Sequence, residues 1–128
     1  MSLASLIDEL NPQQKQAATT EAKHSLVLAG AGCGKTKTIV ARAAYLIDQG
    51  VPANQIQILT FTRRAASEIV ARVELALGEV AKGLRASTFH TFCMYLLRRI
   101  PKVFGLEQFS IIDRDDQLMM FRLIRGRD

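Results

Sequence analysis

Residues 25–52 combine three signals that few folds can satisfy together. An apolar run, Ser25-Leu26-Val27-Leu28-Ala29, leads into Gly30-Ala31-Gly32-Cys33-Gly34-Lys35-Thr36. From there Ile39, Val40, Ala43, Ala44 and Ile47 recur at helical spacing until Gly50 and Pro52 close the segment. The first piece reads as a buried parallel strand over Ser25–Ala29 and the last as an amphipathic helix. Between them, glycines let the backbone turn with its N–H groups inward, where they can cradle phosphate oxygens. Lys35 supplies a compact ammonium for the β- and γ-phosphates, and the Thr36 hydroxyl a ligand for a magnesium ion. The N-terminus of the following helix adds partial positive charge. Ala29 to Thr36 is therefore expected to be a phosphate-binding loop. The plainer alternative is a glycine-rich turn between strand and helix.

At 128 residues, 48% hydrophobic and 23% charged, the chain reads as one globular domain rather than a disordered segment. No apolar run approaches the ~20 residues that span a bilayer. Asp8 and Glu9 interrupt Leu3, Leu6, Ile7 and Leu10, so no secretion signal is expected, and the protein is read as cytoplasmic with no membrane partner. The net charge of +5 is concentrated beyond Arg63, which permits nucleic acid as a partner without requiring it. Cys33 and Cys93 lack metal-ligand spacing and are expected to be small packing residues, Cys93 on an apolar helix face.

The rest of the chain alternates helices and strands. Asn11-Pro12-Gln13-Gln14 has the form of a helix start, with Asn as cap and Pro in the first turn. Gln55 to Thr60 and Leu84 to Thr88 are expected strands. Between them Ala66, Ile69, Val70, Val73 and Leu77 form one face of a helix that Gly78 ends, with a Glu68–Arg72 pair on the opposite face. A further helix runs from Phe89 through Phe92, Cys93, Leu96 and Leu97 to Ile100, stopped by Pro101. Asp113, with Asp116, caps a last helix, Gln117 to Arg125, that is apolar nearly all round. Such a helix expects partners on several sides, so the chain reads as part of a longer protein.

Strands alternating with helices imply an α/β fold, a parallel sheet flanked by helices, with ligands at the carboxyl ends of the strands. Three motifs fall there: the glycine loop, Thr60-Phe61-Thr62 and Thr88-Phe89-His90. Phe61 and Phe89, beside Arg63, Arg64 and His90, could stack on bases of a single strand, or could point into the core. Thr60, Thr62 and Thr88 could offer hydroxyls to phosphates or be ordinary β-branched strand residues. Gln14, by position alone, belongs to a helix N-terminus.

Four stretches together resemble the N-terminal ATPase domain of superfamily-one DNA helicases of the UvrD/Rep/PcrA type. Leu10 to Ala18 (Leu-Asn-Pro-Gln-Gln-Lys-Gln-Ala-Ala) is similar to that family's Q motif, and Leu28 to Thr36 to its motif I. Leu59 to Glu68 is similar to motif Ia and Ser87 to Phe92 to motif Ib, in the family's order. The resemblance implies a P-loop NTPase fold with a partial RecA-like ATP-binding domain over residues 1–108. Residues 109–128 would begin an inserted helical subdomain.

The resemblance also implies ATP and Mg2+ as cofactors, and single-stranded DNA and the remaining helicase domains of a parent chain as partners. Gln14 would read the adenine, and its amide can both donate to and accept from the base. Ala29, Gly30, Ala31, Gly32, Cys33, Gly34, Lys35 and Thr36 would hold the triphosphate, Lys35 and Thr36 as the catalytic pair and Thr36 as the metal ligand. Lys37 stands where the family usually has arginine, so it keeps the charge without the planar fork. Thr60, Phe61, Thr62, Arg63, Thr88, Phe89 and His90 would line the DNA track, with Arg63-Arg64 in place of the usual Asn-Lys. The parent would translocate 3′ to 5′. The family's acidic motif and second RecA-like domain have no counterpart in these residues, so hydrolysis by this chain alone is expected to be very slow. A non-motor P-loop protein, such as a small kinase or transporter ATPase, shares the loop but has no reason to carry the other three motifs.

Overall fold

Val40, Ala43, Ala44 and Ile47 stand at i, i+3, i+4 and i+7, and all four are buried on one face of α3 (Lys35–Asp48). Opposite them α4 (Arg63–Leu77) buries Ala66, Ile69 and Val73, while Val70 and Leu77 pack at the margin of the core. Ile69, Val40 and Val73 are the largest side chains sealed completely from solvent. The computed structural model describes residues 2–32 and 34–126, and the chain divides into two compact units, Met1–Phe92 and Cys93–Asp128.

In the first unit, α1 (Leu3–Asp8) and α2 (Pro12–Thr19) precede α3. A short 3₁₀ turn at Ala53–Gln55 leads to β1 (Gln57–Thr60), then α4, a 3₁₀ turn at Gly78–Ala81 and β2 (Arg85–Thr88). The two strands pair in parallel, Gln57 opposite Arg85 through to Thr60 opposite Thr88. Parallel neighbours need a crossover, and α4 provides it, as the expected βαβ alternation requires. Ile58 of β1 and Leu84 just before β2 join the α3 and α4 faces in the same core. Both strands are shorter than expected, because residues 53–55 turn and Leu84 lies just outside the ladder.

Ser25–Ala29 is not a strand, contrary to expectation. Residues 25–30 take no regular form, and Leu26 and Leu28 are 86% and 87% exposed. A strand is defined by its ladder. β1 and β2 pair with each other, and no described segment pairs with Ser25–Ala29. Its apolar composition is therefore not matched by burial.

α1 gives no periodic signal in the sequence because its six residues are under two helical turns. Ser2 and Ser5 nonetheless form a reciprocal capping box, and Leu6 reaches the core. A second small cluster joins Leu10, Ala18 of α2 and Ala41 of α3.

The second unit contains the later part of α5 (Phe89–Arg99), a 3₁₀ turn at Pro101–Phe104 and α6 (Arg114–Arg125). Asp113 and Asp116 cap α6 reciprocally, as expected, and its first turn starts earlier, at Arg114. None of the described residues of this unit is buried, so Leu118, Met119, Met120, Phe121, Leu123 and Ile124 all lie exposed. Cys93 is exposed too, a correction to its expected packing role: the α5 face that carries it buries no residue. Among the described residues no helix is long and apolar enough to cross a membrane.

Candidate functional site

Two features of the first unit carry the chemistry: a cavity beside the glycine loop and an aromatic pair at the end of the sheet. The cavity has a volume of about 610 Å³, within the range of small-molecule sites. Its walls come from the start of α2 (Asn11, Gln14), the extended segment around Ala29 and Gly30, and the first turns of α3 (Lys35, Ile39).

The loop has the backbone expected of it. Gly32 and Gly34 take φ of +73° and +78°, a region where a side chain is strained. Gly34 is the N-cap of α3 and provides no side chain to bond the first-turn N–H groups. Lys35 and Thr36 occupy that first turn and are exposed. A helix start with these features, beside a cavity lined by a lysine, fits a polyphosphate and its magnesium ion. Ala31 and Gly32 are exposed in the turn, and Cys33 lies outside the described residues.

Gln14 does two things at once. Its backbone N–H donates to Asn11 Oδ1 at 2.8 Å, and its Oε1 accepts from the Asn11 backbone N–H at 2.9 Å. This is the helix-start role read from its position. The Nε2 end reaches the glycine loop, where a Cβ placed on Gly34 would stand 2.7 Å from it. Alanine at Gly34 must therefore displace the Gln14 amide as well as occupy a strained backbone. Gly34→Ala is expected to cost about 1–2 kcal/mol in thermal or denaturant unfolding from the backbone alone. Fluorescent-nucleotide titration is expected to register a further loss, of about tenfold or more in affinity. Unchanged nucleotide affinity would separate Gln14 from the loop.

Lys37 reaches across to Glu9, Nζ to Oε2 at 3.8 Å, with both side chains about half exposed. A pair of this kind contributes at most about 1 kcal/mol. Arg42, which sequence reasoning missed, also lines the cavity. Its Nη1 donates to the carbonyls of Ala18 (3.1 Å) and Thr20 (2.6 Å) at the end of α2. An arginine among Ala41, Ala43 and Ala44, on an otherwise small-residue stretch, was the available signal.

At the sheet end the register decides the geometry. Thr60 and Thr88 are opposite each other, so the residues that follow leave the ladder at the same level. Phe61 and Phe89 meet there, ring centroids 5.3 Å apart and planes tilted by 42°. Both are outside the core, Phe61 at 91% and Phe89 at 43% exposure. The hydroxyls beside them are engaged locally. Thr60 Oγ1 donates to the Thr62 carbonyl at 2.8 Å, and Thr62 Oγ1 accepts from the Ala65 N–H as the cap of α4. Thr88 Oγ1 donates to Thr91 Oγ1 and accepts from the Thr91 N–H. Arg63, Arg64 and His90, close in sequence to the rings, are exposed. An exposed aromatic pair with arginines close in sequence can stack bases and attract phosphates.

The family described as UvrD/REP helicase N-terminal domain matches residues 10–128. The chain belongs to that family. It is 44% identical over 126 residues to ATP-dependent DNA helicase UvrD1 of Mycobacterium tuberculosis, a match covering 96% of this chain and 16% of that protein. It is 43% identical over 114 residues to ATP-dependent DNA helicase PcrA of Staphylococcus epidermidis, covering 88% of this chain and 16% of the relative. UvrD1 of Mycobacterium leprae is 41% identical over 127 residues, again 16% of its length. The chain thus spans about a sixth of the curated relatives it matches.

Proposed function

We propose that this UvrD/REP-family chain is the ATP-binding N-terminal segment of an ATP-dependent DNA helicase that moves 3′ to 5′ along single-stranded DNA in the cytoplasm. It has a P-loop NTPase fold, with residues 1–108 as part of a RecA-like domain and 109–128 as the start of an inserted helical subdomain. The observation that carries this reading is the cavity in which Gln14 and Lys35 meet the glycine loop, beside a helix start that leaves its N–H groups to a ligand.

The chain's own residues bind and orient. Gln14 offers its amide to adenine. The loop amides of residues 29–36 and the Lys35 ammonium hold the phosphates against the α3 terminus, with Lys37 adding charge nearby. Thr36 Oγ1 would hold a magnesium ion, which when bound would supply charge neutralisation at the phosphates. Phe61 and Phe89 present ring faces to successive bases, while Arg63, His90 and the Thr60, Thr62 and Thr88 edge border the backbone of the strand.

The decisive experiment measures ATP hydrolysis by the intact protein with and without single-stranded DNA, at two salt concentrations. Stimulation by the single strand is expected, weakening as salt rises because phosphate contacts release counterions. A rate indifferent to DNA would overturn the helicase reading.

A further inference from the structure

α2 adjoins the glycine loop at its start and is bonded to α3 at its end. At its start, the Gln14 amide lies against Gly34. At its end, Arg42 Nη1 donates to the Ala18 and Thr20 carbonyls at 3.1 and 2.6 Å. These carbonyls belong to the last turn and the C-cap, where intrahelical partners run out. A guanidinium there satisfies the acceptors and opposes the negative end of the helix dipole. The Tyr45 ring, with its centroid 6.0 Å from the Arg42 guanidinium carbon, limits where that group can swing.

α2 also packs along α3, but of its eight residues only Ala18 is buried, against Leu10 and Ala41. A methyl contact stabilises by little and does not set an angle. Gln14 stands five residues, about 7.5 Å at ~1.5 Å per residue, from the far end of the helix, so a tilt of about 8° about that end moves it by about 1 Å. Displacements of that size are enough to cost a large factor in a positioned contact.

We infer that Arg42 is a positioning residue for base recognition: by clamping the far end of α2 to α3, it fixes where the Gln14 amide stands. The ligand is the base of a purine nucleoside triphosphate bearing a 6-amino group. This rests on the nucleotide-site reading given above and extends it to a residue whose Nη1 is bonded to the end of α2 rather than to the glycine loop. Arg42 therefore governs discrimination between bases and leaves phosphate binding alone.

The test titrates the intact protein with mant-ATP and mant-GTP, and with tripolyphosphate by competition. Arg42→Ala is expected to reduce the preference for mant-ATP over mant-GTP by about tenfold while tripolyphosphate binds as before. Arg42→Lys, which keeps one donor and the charge, is expected to restore part of the preference and guards against simple unfolding. Combining Arg42→Ala with Gln14→Ala is expected to be no worse for mant-ATP than Gln14→Ala alone, since one acts through the other. Equal losses on all three ligands, or additive losses in the double variant, would overturn the inference while leaving the nucleotide site standing. Failure of Lys35→Ala to weaken any of the three would remove the site itself, and the inference with it.

Discussion

Replacing Lys35 with alanine is expected to lower ATP turnover by the intact protein about a hundredfold or more. Lys35 is the first residue of α3, exposed at the cavity mouth, with the Gly34 turn immediately before it. Its ammonium is the one side-chain cation of the loop, whose other contacts to a polyphosphate are backbone N–H groups. Removing one preorganised donor from developing charge costs about two to three orders of magnitude in comparable sites. Folding should be almost untouched, because an exposed first-turn lysine buries nothing in the core. The informative pair of measurements is therefore steady-state hydrolysis beside thermal unfolding: a collapsed rate at an unchanged midpoint. Arginine at the same position should rescue poorly, since a planar fork cannot replace a compact ammonium between two phosphates. A wild-type rate in Lys35→Ala would remove the lysine from the reaction.

Phe61→Ala is expected to weaken single-stranded DNA binding by about five- to a hundredfold, from about 1–3 kcal/mol per stacked base. Phe61 is almost wholly exposed and touches Phe89 but not the core, so its loss should leave stability within about half a kcal/mol. Phe61→Leu keeps the apolar surface and loses the flat face, and should bind nearly as poorly as alanine if stacking is the source of affinity. Fluorescence anisotropy with a labelled oligothymidylate reads both variants directly. An affinity equal to wild type in Phe61→Ala would reduce the aromatic pair to surface ornament.

Local chemistry was legible where it is complete in itself. The caps of α2 and α6 follow from Asn11 with Gln14 and from Asp113 with Asp116, because each box closes within four residues. The positive φ values of Gly32 and Gly34 were likewise readable, since only glycine takes them cheaply. What needed the fold was anything settled by a distant partner. Ser25–Ala29 has strand composition but no ladder. The two phenylalanines read equally well as core or surface, and the register of β1 against β2 put them at the edge. Arg42 drew no reading from the sequence, because the α2 carbonyls it meets lie more than twenty positions earlier. Gln14 takes the helix-cap role read from its position, and its other amide end stands beside Gly34.

The ladder also acts as a ruler. Adjacent strands stand about 4.8 Å apart, and the ring separation of 5.3 Å is inherited from that interval. A nucleobase sandwiched between two rings needs roughly 7 Å, twice the ~3.4 Å rise between stacked bases. The gap is too narrow for intercalation while Thr60 and Thr88 remain level. In the proposed complex with single-stranded DNA a base settles on the outer face of Phe61, and entry between the rings requires one exposed side chain to swing aside.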